Sequence, residues 1–287
     1  MSLGLHVSAK GVNTAGLDLT SGPSEGIKRT MSQNLESSSL ETFTKWGFLL
    51  ERTLDGSPTL RLINGMPENG ETMHHSGGAF SETLYIYGRA LEFTYLQQPD
   101  PSILSVGLGL GYVETLAAAW AVKRGSHNWQ LQSFEYVEGL RQAFHSFYKG
   151  RWENAIYHEI LERTSQALDV DSGQIRQALR LALQEGRLQL KGELKSSELR
   201  PESYHLICYD AFSAKTNPTL WSEEFLAEVL SSGRSDFCGF STYACQGNLK
   251  RSLKKAQFDM EIRAGFFGKR NCTWAFRGAG PQRRLGN

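Results

Sequence analysis

Short apolar runs alternate with stretches of helical periodicity along the chain from residue 102 onwards. The runs around residues 103–106, 129–135, 188–193, 204–210 and 237–243 are typical of strands buried in a parallel sheet. Between them, apolar residues recur three or four positions apart, as on one face of a helix. Strands and helices in alternation predict an α/β fold, a doubly wound sheet with helices on both faces.

The two ends of the chain depart from this alternation. Residues 1–39 are rich in Ser, Gly, Thr and Asn and are expected to form a disordered arm. Residues 40–99 predict a β-hairpin, with a turn at Asp55-Gly56, and then a helix from Ala79 that stops before Pro99. Residues 100–280 form the predicted α/β domain. Its last two strands are joined by a tight turn at 268–270, so they must pair antiparallel.

A long stretch between residues 141 and 190 is mostly helical in pattern, with a break predicted at 169–173.

Composition excludes several classes of protein. The 287 residues carry a formal net charge of +1, so any nucleic-acid surface must be local. Four cysteines lie far apart without a C-x-x-C pair, which argues against a disulfide framework and against zinc. The only adjacent histidines, His74 and His75, have no ligand partners at metal spacing, so no metal site is expected. No apolar run is long enough to cross a membrane, and a cytoplasmic protein is predicted.

The stretch 102–120 carries the clearest chemistry. Glycines at 107, 109 and 111 separate a predicted strand from a predicted helix, so backbone N–H groups can approach a ligand closely. A dinucleotide fingerprint would place its third glycine at position 112, which is Tyr112. The G-x-G-x-G spacing instead resembles the first motif of S-adenosylmethionine-dependent methyltransferases. A glycine-rich turn without a ligand is the alternative.

Acidic residues follow three of the predicted strands, at the edge where α/β sheets bind ligands. Glu135 could accept hydrogen bonds from both ribose hydroxyls of the cofactor, with Glu138 as the competing residue. Glu193 could contact the adenine amino group. Asp210 is placed to orient or deprotonate an amine nucleophile, although a structural cap on the following loop would need the same residue.

Several motifs, in order along the chain, resemble the MnmC methyltransferase domain family. DAFSAKTNPTLW from Asp210 is similar to its D-[GA]-F-[SA]-P-x-K-N-P-x-[LM]-W segment, and LDGSPTL resembles its early hairpin. HHSGGAFSETLYIYG is similar to H-S-x-x-G-A-x-x-E-S-x-Y-V-F, and would match His74, Ala79 and Glu82. The glycine motif and the tail GFFGKRNCTWA are also similar to the family's cofactor motif and tail segment. The sequence departs from the family at Ser105-Val106, Leu110 and Ala214, where the family has Glu-Leu, Thr and Pro. Residues near 169–186 form an insertion without a counterpart in the family.

The resemblance implies a Rossmann-like class I methyltransferase that binds S-adenosyl-L-methionine and methylates the aminomethyl group of a tRNA wobble uridine. In that interpretation His74 and Glu82 contact the substrate. A basic helix face with Lys250 and Arg251, and a last turn with Lys269 and Arg270, contact tRNA phosphates. The family's flavin-dependent oxidase domain is not seen, so a separate oxidase or precursor-forming enzyme is expected to supply the aminomethyl substrate. The alternatives are another amine acceptor, or a non-catalytic nucleotide- or RNA-binding protein.

Overall fold

The structure, a computed structural model, describes residues 42–63, 70–268 and 271–278. The expected arm at 1–39 and the two basic residues Lys269 and Arg270 lie outside the described residues. Within them the chain has the predicted α/β class, built on a seven-stranded sheet with a separate two-stranded hairpin.

The sheet has the strand order β5-β4-β3-β6-β7-β9-β8. The first five strands of this order are parallel, and β9 runs antiparallel between β7 and β8, as the tight turn predicts. The strands of the described chain are β1 (Phe48–Arg52), β2 (Pro58–Leu62), β3 (Ser102–Val106), β4 (Gln130–Phe134), β5 (Leu188–Lys191), β6 (Leu206–Tyr209), β7 (Phe237–Thr242), β8 (Asp259–Ala264) and β9 (Asn271–Gly278).

Helices cover both faces of this sheet, and each face has its own apolar core. Alternate residues of β6 divide between the two cores: Leu206 and Cys208 join one, Ile207 and Tyr209 the other. The helices are α1 (42–45), α2 (Ala79–Thr83), α3 (Arg89–Gln97), α4 (Tyr112–Arg124), α5 (Glu138–Tyr148), α6 (Ala155–Leu168), α7 (Ser172–Gln184), α8 (Glu223–Ser231) and α9 (Gly247–Lys255).

The long helical stretch is broken twice, where one break was predicted. The predicted break separates α6 from α7; Asp169 has a left-handed backbone with φ 51°, and the Asp171 carboxylate accepts the Gln174 N–H at 2.9 Å. The second break separates α5 from α6 at Gly150, whose φ is +70°, and Asn154 caps the next helix. Apolar periodicity continues across this break, so the sequence pattern did not reveal it.

The β1–β2 hairpin is fastened to the start of α2 through Asp55 in its turn. The Asp55 carboxylate accepts hydrogen bonds from the backbone and side chain of both Ser57 and Ser81, and from Thr53 Oγ1. Burial alone would raise the pKa of Asp55, but these hydrogen bonds outweigh it and hold the pKa well below its usual range. The hairpin therefore sits at a fixed place beside the sheet.

One carboxyl group lies inside the core next to the glycine turn. Glu114, in the first turn of α4, is fully buried, and its Oε1 accepts a hydrogen bond from Ser133 Oγ at 2.7 Å. Its Oε2 has no hydrogen-bond partner among the described residues. Burial raises the pKa of Glu114 to about 7, because a buried charge loses its hydration.

Glu114 should make stability depend on pH. A raised carboxyl pKa means that the folded state holds a proton that the unfolded chain releases, so stability falls as the pH rises from about 4.5 to about 7. We expect Glu114→Gln to be close to wild type at pH 5 and more stable at pH 8, by on the order of 3 kcal/mol. Urea unfolding at both pH values measures this, with the exposed Glu138→Gln as control. A stability difference that is the same at both pH values would contradict the assignment.

Candidate active site

The carboxyl ends of β3, β4, β5 and β6 meet at one edge of the sheet and line a cavity of about 910 Å³. The N-terminal hairpin, through Phe48 and Leu62, and the segment after it, through Met73, line the cavity as well. The volume is at the upper end of the range for small-molecule sites, so it can hold a cofactor together with the reacting part of a second molecule.

The three glycines after β3 have three different surroundings. Gly107 has φ +95°, and a Cβ there would lie 2.4 Å from the backbone oxygen of Asp210, so no larger residue fits between β3 and β6. Gly109 has φ +51° and lines the cavity. A Cβ on Gly111 would lie 2.3 Å from the ring of Phe144 in α5. Gly107 and Gly109 therefore face the ligand space, and Gly111 allows close helix packing.

Glu135, at the end of β4, lies directly across from the glycine turn. Its Oε2 accepts the Gly109 N–H at 3.1 Å, and its Oε1 accepts the Val137 N–H at 2.9 Å. Burial raises the pKa of Glu135, while these two backbone hydrogen bonds favour the charged form. Each carboxylate oxygen keeps a second lone pair, so the residue can accept further hydrogen bonds from a ligand in the cavity it lines.

Asp210, directly after β6, lines the same cavity. Its backbone N–H donates to Val106 O at 2.8 Å, which joins the ends of β3 and β6. Its Oδ1 accepts a hydrogen bond from the Tyr87 hydroxyl at 2.7 Å. The sequence placed Asp210 at this edge, and the structure adds the tyrosine that holds its carboxylate.

His74, Glu82 and Glu193 also line the cavity, in different environments. The His74 ring Nδ1 lies 3.0 Å from Thr59 Oγ1, and Glu82 accepts the His75 N–H at 2.6 Å, so both residues hold the loop that faces the cavity. Glu193 lies at the exposed rim, with Lys195 Nζ 3.3 Å from its carboxylate. Their roles toward substrate or adenine stay predictions.

Of the predicted phosphate contacts, the two that the structure describes lie outside the cavity lining. Lys250 and Arg251 lie on α9, which begins at the same edge of the sheet. The Arg251 guanidinium pairs with Glu223 at 2.6 Å, which neutralises part of the basic face. Glu138, the competitor of Glu135, is exposed at the start of α5 and bonds to Gln142 Nε2 instead of lining the cavity.

The lining includes residues that sequence reasoning missed. Glu71 accepts hydrogen bonds from Ser213 N and Oγ and from Thr216, so it ties the segment before α2 to the loop after Asp210. Tyr243, after β7, donates to Ala211 O at 2.9 Å. In the sequence, Glu71 is an isolated residue of a predicted loop. Its role follows from the fold, which brings it to Ser213, 142 residues later in the chain.

The charge of the lining is one-sided. Its carboxylates are Glu71, Glu82, Glu135, Glu193 and Asp210, and within the described part of the chain it contains no Lys or Arg. A wall of this composition favours cations and disfavours phosphates. S-adenosylmethionine carries a sulfonium and an ammonium group, and it therefore fits the lining. Glu135 and the Gly107–Gly109 turn would hold it, and it would supply an electrophilic methyl group.

The described residues contain no group of three or more His, Cys, Asp or Glu side chains arranged to hold a metal ion. None of their helices is long and apolar enough to cross a membrane.

Comparison with known families and sequences gives concordant results. Residues 149–278 match a family described as S-adenosyl-L-methionine-dependent methyltransferase. The chain is 27% identical to the tRNA 5-methylaminomethyl-2-thiouridine biosynthesis bifunctional protein MnmC of Aromatoleum aromaticum, over 74% of this chain and 34% of that protein. The protein of the same name from Hahella chejuensis is 36% identical over 22% of this chain and 10% of its own length. The chain thus spans about a third or less of these relatives.

Solved structures agree on the fold. The MNMC2 protein of Aquifex aeolicus has a TM-score of 0.56 and 21% identity, covering 90% of this chain and 84% of that one. Spermidine synthase of Thermotoga maritima has a TM-score of 0.51 and 14% identity, covering 82% and 70%. Together these findings confirm the predicted resemblance, the Rossmann-like methyltransferase fold, the enzyme class and S-adenosylmethionine as cofactor.

The glycine turn offers a matched pair of variants. Gly109 and Gly125 both have positive φ, +51° and +65°. Gly109 lines the cavity, where a Cβ would lie 3.0 Å from the flexible Met73 Sδ, whereas Gly125 ends α4 with nothing within 4 Å of a Cβ. We expect Gly109→Ala and Gly125→Ala each to lose about 1–2 kcal/mol of stability through left-handed strain. Only Gly109→Ala should bind S-adenosylmethionine more weakly, by tenfold or more. Calorimetric titration measures this, and equal affinities in the two variants would place the cofactor elsewhere.

Proposed function

We propose that this S-adenosylmethionine-dependent methyltransferase methylates the aminomethyl group of a tRNA wobble uridine. The observation that carries the proposal is the cavity wall, in which carboxylates stand without any Lys or Arg among the described residues. An amine acceptor is cationic in water near neutral pH, so it is attracted to such a wall. A phosphate is repelled by it and must stay outside.

Asp210 has the central role in this proposal. A protonated amine has no lone pair with which to attack a methyl group, so it must lose a proton and be held in line with the cofactor. The Asp210 carboxylate can bind the ammonium form, orient it, and accept its proton directly or through water. Its place next to Gly107, at the junction of β3 and β6, puts it beside the predicted cofactor position.

The identity of the acceptor as tRNA is supported by similarity and by charge. The Aromatoleum and Hahella proteins are named for the biosynthesis of 5-methylaminomethyl-2-thiouridine in tRNA, a product that carries a methylated aminomethyl group. The basic residues Lys250 and Arg251 lie on α9, which begins at the same edge of the sheet as the cavity, and they can contact phosphates while the base enters the cavity. We therefore expect the protein to act in the cytoplasm, on tRNA in which a separate reaction has already produced the aminomethyl group.

Asp210→Asn tests the role of the carboxylate. The substitution keeps the shape of the side chain and removes its charge, so we expect normal folding, near-normal S-adenosylmethionine affinity, and transfer of labelled methyl groups to tRNA reduced by about 100-fold or more. Raising the pH should restore part of the activity, because solvent then supplies the free amine.

The control is Asp259→Asn, which makes the same change at an exposed position of β8. It should leave methyl transfer unchanged. Wild-type activity of Asp210→Asn at neutral pH would show that Asp210 only caps its loop, and that another group prepares the nucleophile.

A further inference from the structure

We propose that Tyr87 is a positioning residue that fixes the Asp210 carboxylate for the acceptor amine. The inference rests on the role proposed above for Asp210 and adds a residue to the same site. It starts from the hydrogen bond of 2.7 Å that the Tyr87 hydroxyl donates to Asp210 Oδ1.

Tyr87 is built rigidly into the cavity wall. Its side chain is only 1% exposed and lines the cavity, and its hydroxyl also lies 3.3 Å from the backbone oxygen of Tyr209. Burial, and then the neighbouring Asp210 charge, raises the pKa of Tyr87 well above its usual value. The hydroxyl therefore keeps its proton, and it remains a hydrogen-bond donor throughout the pH range in which an amine could react.

The backbone that carries Tyr87 is itself unusual. A π-helical turn, Leu84–Gly88, interrupts the helix between α2 and α3. Such turns are rare and occur frequently at functional sites, because they redirect the side chains that follow. Ser241 of β7 donates a hydrogen bond to Ile86 O at 2.7 Å, which fastens the turn to the sheet that also carries Asp210. Donor and acceptor are thus held by the same rigid framework.

A carboxylate at the end of a strand can rotate about its side-chain bonds. A hydrogen bond to one oxygen selects one rotamer before the acceptor arrives, so less ordering remains to be done in the transition state. The structure therefore assigns the tyrosine an effect on turnover rather than on cofactor binding.

Tyr87→Phe keeps the buried ring and removes only the hydroxyl. We expect kcat for methyl transfer to tRNA to fall by about tenfold, while the Kd for S-adenosylmethionine and the KM for tRNA change less than twofold. The control is Tyr95→Phe: Tyr95 is a buried tyrosine of α3 whose hydroxyl has no hydrogen-bond partner among the described residues. It should leave kcat unchanged.

A double-mutant cycle separates this inference from the function on which it rests. If Tyr87 acts through Asp210, Tyr87→Phe should lower kcat much less in the Asp210→Asn background than in wild type. An inactive Asp210→Asn together with a fully active Tyr87→Phe would overturn the role of Tyr87 alone. A fully active Asp210→Asn would overturn both roles.

A measurement without an acceptor covers the case in which tRNA is not methylated at all. The carboxyl ¹³C resonance of Asp210, assigned by its loss in Asp210→Asn, should shift in Tyr87→Phe and stay in place in Tyr95→Phe. An unmoved resonance in Tyr87→Phe would show that the hydroxyl does not hold the carboxylate, and would overturn the inference whatever the substrate.

Discussion

The contact on which the site depends is the close approach of β3 and β6 at Gly107. The Asp210 N–H donates to Val106 O, and the backbone oxygen of Asp210 lies only 2.4 Å from where a Cβ of residue 107 would be. Because position 107 is glycine, the turn that is expected to hold the cofactor and the carboxylate that is expected to face the acceptor are neighbours through the backbone. Their separation is set by the sheet, and no flexible side chain intervenes.

The charge of the cavity then determines which ligands it attracts. The cavity concentrates negative charge, and Glu71 and Asp210 contribute to it from different parts of the chain, the N-terminal segment and the sheet edge. Glu71 also closes the cavity by bonding Ser213 and Thr216. The same carboxylate that favours a cationic ligand thus orders the loop after Asp210. The N-terminal extension is for this reason part of the site rather than a separate appendage.

The sheet was predictable from the sequence because most of its strands are apolar runs, and because β3, β4, β5 and β6 are each followed by a glycine or a carboxylate. This rule placed Glu135, Glu193 and Asp210 at the sheet edge. His74 and Glu82, which reach the cavity from outside the sheet, were identified only through the family resemblance. Tyr87 was not identified, and the helical pattern did not predict the π-helical turn that carries it. Glu71 acts across 142 residues. The second helix break, at Gly150, was hidden by continuous apolar periodicity.

We have proposed that an amine on tRNA reacts in this acidic cavity. The test is mass spectrometry of nucleosides, after tRNA carrying an aminomethyl wobble uridine is incubated with the protein and methyl-deuterated S-adenosylmethionine. We expect one nucleoside, the aminomethyl uridine, to gain the mass of a single labelled methyl group, and tRNA lacking the aminomethyl group to gain none. A label on another nucleoside, or equal labelling of both tRNAs, would contradict it.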